Sequence, residues 1–210
     1  VGTHFIGVEK CSSKSVDPVF PNLFRFNYDL TIDVELAKAI HDQAKSEGMS
    51  VKMMTNPDFR VDYGTIVSCH MVRPEWDKPI VSISSNRSLS YYSVEVMQEM
   101  MIELGKSTAK AIEESGKKCL LIASNSLSHR HFVTETNPPE DMSKEHITSH
   151  AMHLWDMRMI EMMREGKSQQ IINEMPEFCE QAIAETDGGA LTWLLSAMGV
   201  PSEPAILHGY

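Results

Sequence analysis

The sequence has 210 residues, of which 19 are Lys or Arg and 29 are Asp or Glu, so its formal net charge is −10 at pH 7. That negative balance argues against a surface that binds nucleic acid or an anionic membrane. The length suits one sizeable core and predicts a single domain over residues 1–210. No apolar run approaches the roughly 20 residues that cross a bilayer. The four cysteines lie far apart without a CxxC pair, which predicts reduced thiols and a cytoplasmic protein.

The start of the chain predicts a strand, a long loop and a helix. Residues 1–8 are expected to run from a strand into a loop. The loop over residues 11–27 carries four large apolar residues: Phe20, Leu23, Phe24 and Phe26. They pack either as a lid or subunit surface or as a satellite of the core. Asp33 then caps a helix that ends at Gly48. The apolar face of this helix is Leu36, Ala37, Ile40 and Ala44.

Strands and helices alternate through the middle of the chain. We expect short strands over residues 50–54 and 79–84, and between them a short helix that ends at His70. A long amphipathic helix follows over residues 93–115 and is closed by Gly116. Alternating strands and helices indicate parallel βαβ units. The predicted fold class is therefore α/β, with a mostly parallel sheet flanked by helices.

The apolar run at residues 117–123 predicts a strand buried on both faces of that sheet. It stops in the polar turn Ser124-Asn125-Ser126, and His129 follows shortly after. Ligands in open α/β sheets bind outside the carboxyl ends of the strands. His129 is therefore placed for proton chemistry. On this pattern alone, a loop histidine that only makes hydrogen bonds is an equally good interpretation.

The last third of the chain is predicted to be helical. A helix over residues 144–164 has one apolar stripe, formed by Met152, Trp155, Met159 and Met163. Shorter helices are expected over residues 168–172, 175–184 and 187–198. Thr186 or Asp187 could cap the last of them, and Glu185 would lie at its positive end. Most of the fifteen methionines follow helical spacing, which predicts that they fill the core.

His146, His150 and His153 fall on one face of the 144–164 helix. Such spacing can build a metal site. The same stripe continues into Met157 and Ile160, beside the apolar face. We therefore interpret the three histidines as residues at the border of the core.

Several motifs together resemble one enzyme family. The most specific is ASNSLSH at residues 123–129, followed by an acidic, proline-containing loop. Further similar stretches are KSVDPVFPNLFRF, NPDFRVDYGT, PIVSISSN and AETDGGALTWLLSAM. The chain resembles the class III extradiol ring-cleavage dioxygenases of the protocatechuate 4,5-dioxygenase β-subunit type, in particular members that act on 2-aminophenol.

The resemblance implies a site that binds Fe(II) through two histidines and one carboxylate, with open positions for substrate and O2. Glu185 matches the carboxylate ligand; without the family, it would be an ordinary acidic residue near a helix start. His129 matches the acid–base histidine, and Tyr63 matches a pocket tyrosine that hydrogen-bonds near the substrate. Tyr63 as a residue merely packed in a turn is the alternative. His131 is expected near the pocket mouth, without a catalytic role.

The implied reaction inserts O2 into 2-aminophenol or a related catechol and gives a ring-opened muconic semialdehyde. The implied partner is a similarly folded α-type subunit, or a second copy of the chain. In this family the two histidine ligands precede Val1, and the chain continues past Tyr210. His4 lies near the second histidine position but does not match it. We therefore expect a fragment with one iron ligand of three. The alternatives are an iron-free paralogous subunit and a binding protein on the same fold.

Overall fold

The structure is a computed structural model that describes residues 3–6, 10–12, 29–56, 61, 63–84, 92–129 and 149–210. Two compact units divide the chain. The first combines Val1–Asn86 with Ser107–Ser124, and the second combines Arg87–Lys106 with Asn125–Tyr210. The predicted single catalytic domain stays a prediction. Of the loop predicted over residues 11–27, the first two residues belong to a short strand, and residues 13–27, with the four large apolar residues, lie outside the described ranges.

The first unit contains short strands: β1 (Thr3–Ile6), β2 (Lys10–Ser12), β3 (Asp29–Thr31), β4 (Val51–Met54) and β5 (Ile83–Ser84). Three of them form a sheet in the order β4-β1-β5, and β2 pairs with β3. The β1–β4 pair is parallel, whereas the β1–β5 and β2–β3 pairs are antiparallel. The mostly parallel sheet therefore stays a prediction.

The register of the three-stranded sheet is set on both sides of β1. Thr3 lies opposite Val51 in the parallel pair, and Phe5 lies opposite Ile83 in the antiparallel pair. The predicted strand over residues 79–84 is shorter than expected. Its first half makes only an isolated parallel bridge between Ile80 and Ile32.

The helix α1 (Val34–Ser46) confirms the prediction made from Asp33. The Asp33 carboxylate accepts a hydrogen bond from the Leu36 N–H at 3.0 Å and one from Lys117 Nζ at 2.6 Å. Burial alone would raise the pKa of Asp33, but the Lys117 ammonium and the Leu36 N–H together lower it. The predicted apolar face is the buried face: Leu36, Ala37, Ile40 and Ala44.

The helix α2 (Tyr63–Val72) also lies where the sequence predicts a short helix. It contributes Ile66 to a small buried cluster with Leu30, Ile32 and Val61. Partly buried Cys69 and Trp76 pack against this cluster. The cluster anchors α2, which begins at Tyr63.

The predicted strand over residues 117–123 is wrong: this stretch has no strand in the structure. Leu120 is 72% exposed and Ile122 is 38% exposed. A strand requires a neighbour whose backbone groups pair with its own. No described residue forms such a backbone hydrogen bond with residues 118–124. The apolar run alone therefore does not make a strand.

The helix α3 (Val94–Ser115) confirms the long amphipathic helix. Its first half belongs to the second unit and its second half to the first. The buried face of the helix carries Met97, Met101, Leu104 and Ala111. Gly105 lets α3 approach α6 (Gly189–Ala197) closely, because a Cβ there would lie 2.6 Å from the Cβ of Ser196.

The second unit also contains α4 (His150–Arg164) and α5 (Ser168–Ala182), which pack on each other. Their shared core is mostly aliphatic and methionine side chains: Met152, Met159, Met162, Ile171, Ile172, Met175, Phe178, Ala182, Ala184 and Leu195. Arg158 forms a two-pronged ion pair with Glu174, with both N···O distances at 2.6 Å. The four methionines in this core are buried as predicted, whereas Met71 and Met198 are exposed.

One correction concerns α5, which is a single helix where the sequence predicted two short ones. Pro176 lies inside it. A proline in a helix removes one backbone hydrogen bond. Here Met175 and Phe178 on either side of Pro176 are buried in the core, and that burial keeps the helix continuous. Within the part of the chain that the structure describes, no helix is long and apolar enough to cross a membrane.

Candidate functional site

Two short segments of the second unit pair in antiparallel fashion. Residues 127–129 follow Ser126, and residues 183–185 follow α5. The backbone N–H of His129 donates to the carbonyl of Ile183 at 3.1 Å, and the N–H of Glu185 donates to the carbonyl of Leu127 at 3.0 Å. These two bonds bring together two residues that are far apart in the sequence. Both were predicted to belong to the site.

The pairing also decides which way the side chains face. Ser128 and Ala184 form the bridge at its centre, and both are buried. Side chains alternate between the two faces of paired segments. His129 and Glu185 therefore lie together on the opposite face from Ser128 and Ala184. They are diagonal neighbours on that face.

Ser126 touches both of these side chains. Its backbone N–H donates a hydrogen bond to Oε2 of Glu185, and its hydroxyl lies 3.3 Å from Nδ1 of His129. His129 is exposed and Glu185 is half-buried. The polar turn thus fixes one carboxylate oxygen while it leaves the imidazole accessible to a small molecule.

The backbone around Glu185 is unusual. Ile183, Thr186 and Asp187 have φ values of 51°, 49° and 54°. Positive φ is rare for residues other than glycine, and for β-branched residues it is a true outlier. Each such residue costs about 1–3 kcal/mol and persists only where its surroundings hold it. Strain of this kind clusters at functional sites.

Buried contacts hold this strained turn. The side-chain amide of Gln98 donates to the carbonyl of Asp187 and accepts from the hydroxyl of Thr192. Gly188 has φ of 66°, and a Cβ there would lie 2.1 Å from Sδ of Met175. Glycine is therefore favoured at that position, because a larger residue would be strained and would have to displace the Met175 side chain. The chain is therefore locked immediately after Glu185.

The expected cap of the last helix is wrong. Glu185–Gly188 forms a 3-10 turn, and α6 begins at Gly189 without a side-chain cap. Thr186, Asp187 and Gly188 are all left-handed, so the helix cannot start before Gly189. The hydroxyl of Thr186 instead lies 3.4 Å from Oδ1 of Asn125.

A buried carboxylate lies behind the paired segments and was missed by sequence reasoning. Oδ1 of Asp156 accepts from the N–H of Ser128 at 2.9 Å, and Oδ2 accepts from the Ser128 hydroxyl at 2.6 Å. The hydroxyl of Tyr210 also donates to Oδ2, at 2.9 Å. A signal was available: Asp156 interrupts the apolar stripe between Met152 and Met159.

The other predicted residues belong to the first unit or lie outside the described residues. Tyr63 is the first residue of α2, in the first unit. His4 lies in β1. His131 and His146 lie outside the described residues. The roles of His131 and Tyr63 stay predictions.

Few side chains within the described ranges are placed to bind a metal ion. No group of three His, Cys, Asp or Glu side chains there could hold a metal ion. Glu185 offers a carboxylate of the type found in two-histidine, one-carboxylate iron sites, and its Oε1 does not share the bond to Ser126. On α4, His150 is exposed, and the ring of His153 lies 6.2 Å from that of Tyr210. The donor set therefore fits one ligand position of such a site.

Comparison with known proteins identifies the family that this chain matches. The family model described as the catalytic LigB subunit of aromatic ring-opening dioxygenase matches residues 6–208. A 2-aminophenol 1,6-dioxygenase beta subunit from Pseudomonas sp is 52% identical over 210 residues, which are 100% of this chain and 69% of that protein.

Two more distant relatives match over most of the chain. A 2-aminophenol 1,6-dioxygenase alpha subunit from Pseudomonas sp is 26% identical over 87% of this chain and 64% of its own length. A 3,4-dihydroxyphenylacetate 2,3-dioxygenase from Escherichia coli is 27% identical over 93% of this chain and 66% of its own length. The chain thus spans about two thirds of each relative. With the match to the family model, these similarities confirm the class III extradiol resemblance: the chain belongs to the family of catalytic LigB subunits of aromatic ring-opening dioxygenases.

Proposed function

We propose that the full-length protein is a non-haem Fe(II) extradiol dioxygenase. It opens the ring of 2-aminophenol, or of a related catechol, with O2 and releases a muconic semialdehyde. One observation carries the proposal: His129 and Glu185 lie on one face of two paired segments, and Ser126 contacts both. The substrate follows from the 52% identical relative, whose name specifies 2-aminophenol.

Glu185 is the proposed carboxylate ligand. The Ser126 N–H holds one of its oxygens, which orients the carboxylate, as partners of metal ligands commonly do. The family resemblance assigns the two histidine ligands to sequence outside these 210 residues. When bound, Fe(II) would orient substrate and O2 beside each other and balance the charge of the deprotonated substrate.

His129 is the proposed acid and base. A substrate that chelates a metal through two adjacent heteroatoms must lose a proton, and ring opening later requires a proton to be returned. Imidazoles change protonation between about pH 5 and 8, so one histidine can do both. The exposed ring of His129 can reach a bound substrate, and the Ser126 hydroxyl steadies its Nδ1. Tyr63 is the proposed hydrogen-bond donor beside the substrate.

The proposed partner is a similarly folded α-type subunit. The 26% identical relative carries the name of an alpha subunit, which supports a hetero-oligomer over a homo-oligomer. A cytoplasmic location remains a prediction from the widely spaced cysteines.

The function is tested by oxygen uptake. The full-length protein would be co-expressed with its α-type subunit, loaded anaerobically with Fe(II), and mixed with 2-aminophenol or catechol. We expect one O2 consumed per ring opened, together with the absorbance of the semialdehyde. The metal-free protein serves as the control. A protein that takes up no iron would instead support an iron-free paralogous subunit, and one that consumes no O2 with either substrate would support a binding protein.

A further inference from the structure

We propose that Asp156 is a positioning residue that acts through Ser128 to hold His129 in place for proton transfer. This inference rests on the proposed acid–base role of His129. It adds a residue to which neither the sequence motifs nor the relatives assign a role.

Asp156 holds Ser128 at two points. Its side chain lies on α4 and is only 2% exposed. One carboxylate oxygen accepts from the backbone N–H of Ser128 at 2.9 Å, and the other accepts from the hydroxyl at 2.6 Å. Hydrogen bonds to an ionised acceptor are stronger than neutral ones. The pair of bonds therefore fixes both the backbone and the side chain of Ser128.

The hydrogen bonds between Asp156 and Ser128 lie on the opposite face of residues 127–129 from His129 and Glu185. Ser128 faces Asp156, whereas His129 faces Glu185. A movement of Ser128 is passed directly to His129, which is the next residue. The N–H of His129 donates to the carbonyl of Ile183 at 3.1 Å, so the same movement also changes the pairing that aligns Glu185. Asp156 can thus affect the reaction without contact with the substrate.

Stability alone does not explain a carboxylate at this position. Its neighbours on the helix face, Met152 and Met159, belong to the core. A buried charge is costly unless hydrogen bonds compensate it, and hydrophobic replacements of buried ion networks are often neutral or stabilising. The bonds to Ser128 supply that compensation. What the carboxylate adds over an apolar residue is the fixed position of Ser128.

A third donor completes the network. The hydroxyl of Tyr210 donates to Oδ2 of Asp156 at 2.9 Å. Burial and the carboxylate of Asp156 both raise the pKa of Tyr210, so its hydroxyl keeps its proton and stays a donor. The carboxylate is thereby held from two sides, which limits the positions that Ser128 can take.

The test is a double-mutant cycle in the full-length, iron-loaded enzyme. Asp156→Leu should lower kcat on the order of 10²-fold, because a displacement of about 1 Å in a catalytic group can cost that much. KM should change little, since substrate affinity depends mainly on chelation. In a His129→Asn background the same change should cause no further loss, because coupled residues are not additive. Asp156→Asn keeps an acceptor for the Ser128 N–H and should retain most of the activity.

Three further experiments separate a loss of positioning from a loss of stability. Met159 lies on the same helix and is buried, so Met159→Ala should lower stability while it keeps the Asp156 carboxylate; its kcat should stay unchanged. Hydrogen exchange of the Ser128 and His129 amides should become faster in Asp156→Leu and stay slow in Asp156→Asn. Ser128→Ala, which removes one bond only, should give a smaller fall in kcat if the Leu variant does not fold.

The outcomes separate this inference from the proposed function. If the losses from Asp156→Leu and His129→Asn add, or if the two amides exchange at an unchanged rate, Asp156 does not act through His129. If His129→Asn alone leaves kcat unchanged, the acid–base role is wrong, and the proposed function fails with it. Coupled losses with faster exchange support both.

Discussion

Two stretches that follow α3 are held in very different ways. Residues 119–123 form an apolar run without backbone hydrogen bonds to other described residues, and Leu120 is 72% exposed. Residues 127–129 are mostly polar, yet they pair with residues 183–185 and are clamped by Asp156. Within the described residues, the hydrophobic stretch is the loosely held one.

The difference between the two stretches shows which interactions hold a segment of this chain in place. Apolar character favours burial, but burial requires a surface to pack on, and Leu120 and Ile122 find little of it among the described residues. The segment with His129 is instead fixed by directional bonds to named donors and acceptors: Ile183, Asp156 and Ser126. Substitutions in the two segments should therefore affect the protein to different extents.

The largest effect is expected at His129. In the full-length enzyme, His129→Asn should slow turnover by about 10²–10⁴-fold, the usual contribution of general acid–base catalysis. Substrate should still bind, because it chelates the metal and not the imidazole. Stopped-flow absorbance after mixing the anaerobic enzyme–substrate complex with O2 measures the effect. Unchanged decay of every transient species would mean that His129 is only a hydrogen-bonded loop residue.

The next effect concerns the core that carries Asp156. Phe178 on α5 is buried in the same cluster as Met152 and Met159 of α4. Phe178→Ala should lower the free energy of unfolding by about 3–5 kcal/mol, through lost burial and the cavity left behind. Urea denaturation measures it, with exposed Glu177→Ala as the neighbouring control. A loss below about 1 kcal/mol would mean that α4 and α5 are not packed as described.

A smaller effect is expected at Gln98, which is buried and bridges Asp187 and Thr192. Gln98→Leu removes the acceptor shown for the Thr192 hydroxyl and should cost about 1–3 kcal/mol. The turn after Glu185 should also loosen, which hydrogen exchange would detect at Asp187 and Gly188. Exposed Glu99→Leu serves as the control. Equal effects at both positions would show that Gln98 does not hold the turn.

The smallest effect is expected in the apolar run. Leu120→Ala should change stability by less than about 0.5 kcal/mol, as is usual for surface positions. The same substitution at Leu104, which is 1% exposed, should cost about 2–5 kcal/mol. Thermal or urea unfolding compares the two leucines directly. Similar losses at both would show that residues 119–123 are covered.

The regular helices could be predicted because their signals are local. Asp33 caps α1, and the spacing of its apolar residues gives the buried face. The break predicted between residues 172 and 175 is wrong, since α5 runs through it and past Pro176, where burial of Met175 and Phe178 outweighs the lost hydrogen bond. The strand at residues 117–123 failed because strands depend on partners that a local apolar run does not specify.

The site was only partly predictable. Sequence alone placed His129 after a turn but could not separate a catalytic from a structural histidine. The roles of His129 and Glu185 came from the family resemblance. Their shared face depends on pairing between distant segments, which no local pattern reveals. Asp156 carried a local signal, a charge within an apolar stripe, but its partner Ser128 lies far away in the sequence.

Glu185 is proposed to bind the metal, whereas His129 is proposed to move protons. Metal analysis of purified full-length variants, beside anaerobic substrate binding, tests this division most directly. Glu185→Ala should lose its iron. His129→Ala should keep its iron and its ability to bind substrate while it loses turnover. An iron-depleted His129→Ala enzyme, or a fully iron-loaded Glu185→Ala enzyme, would contradict the assignment.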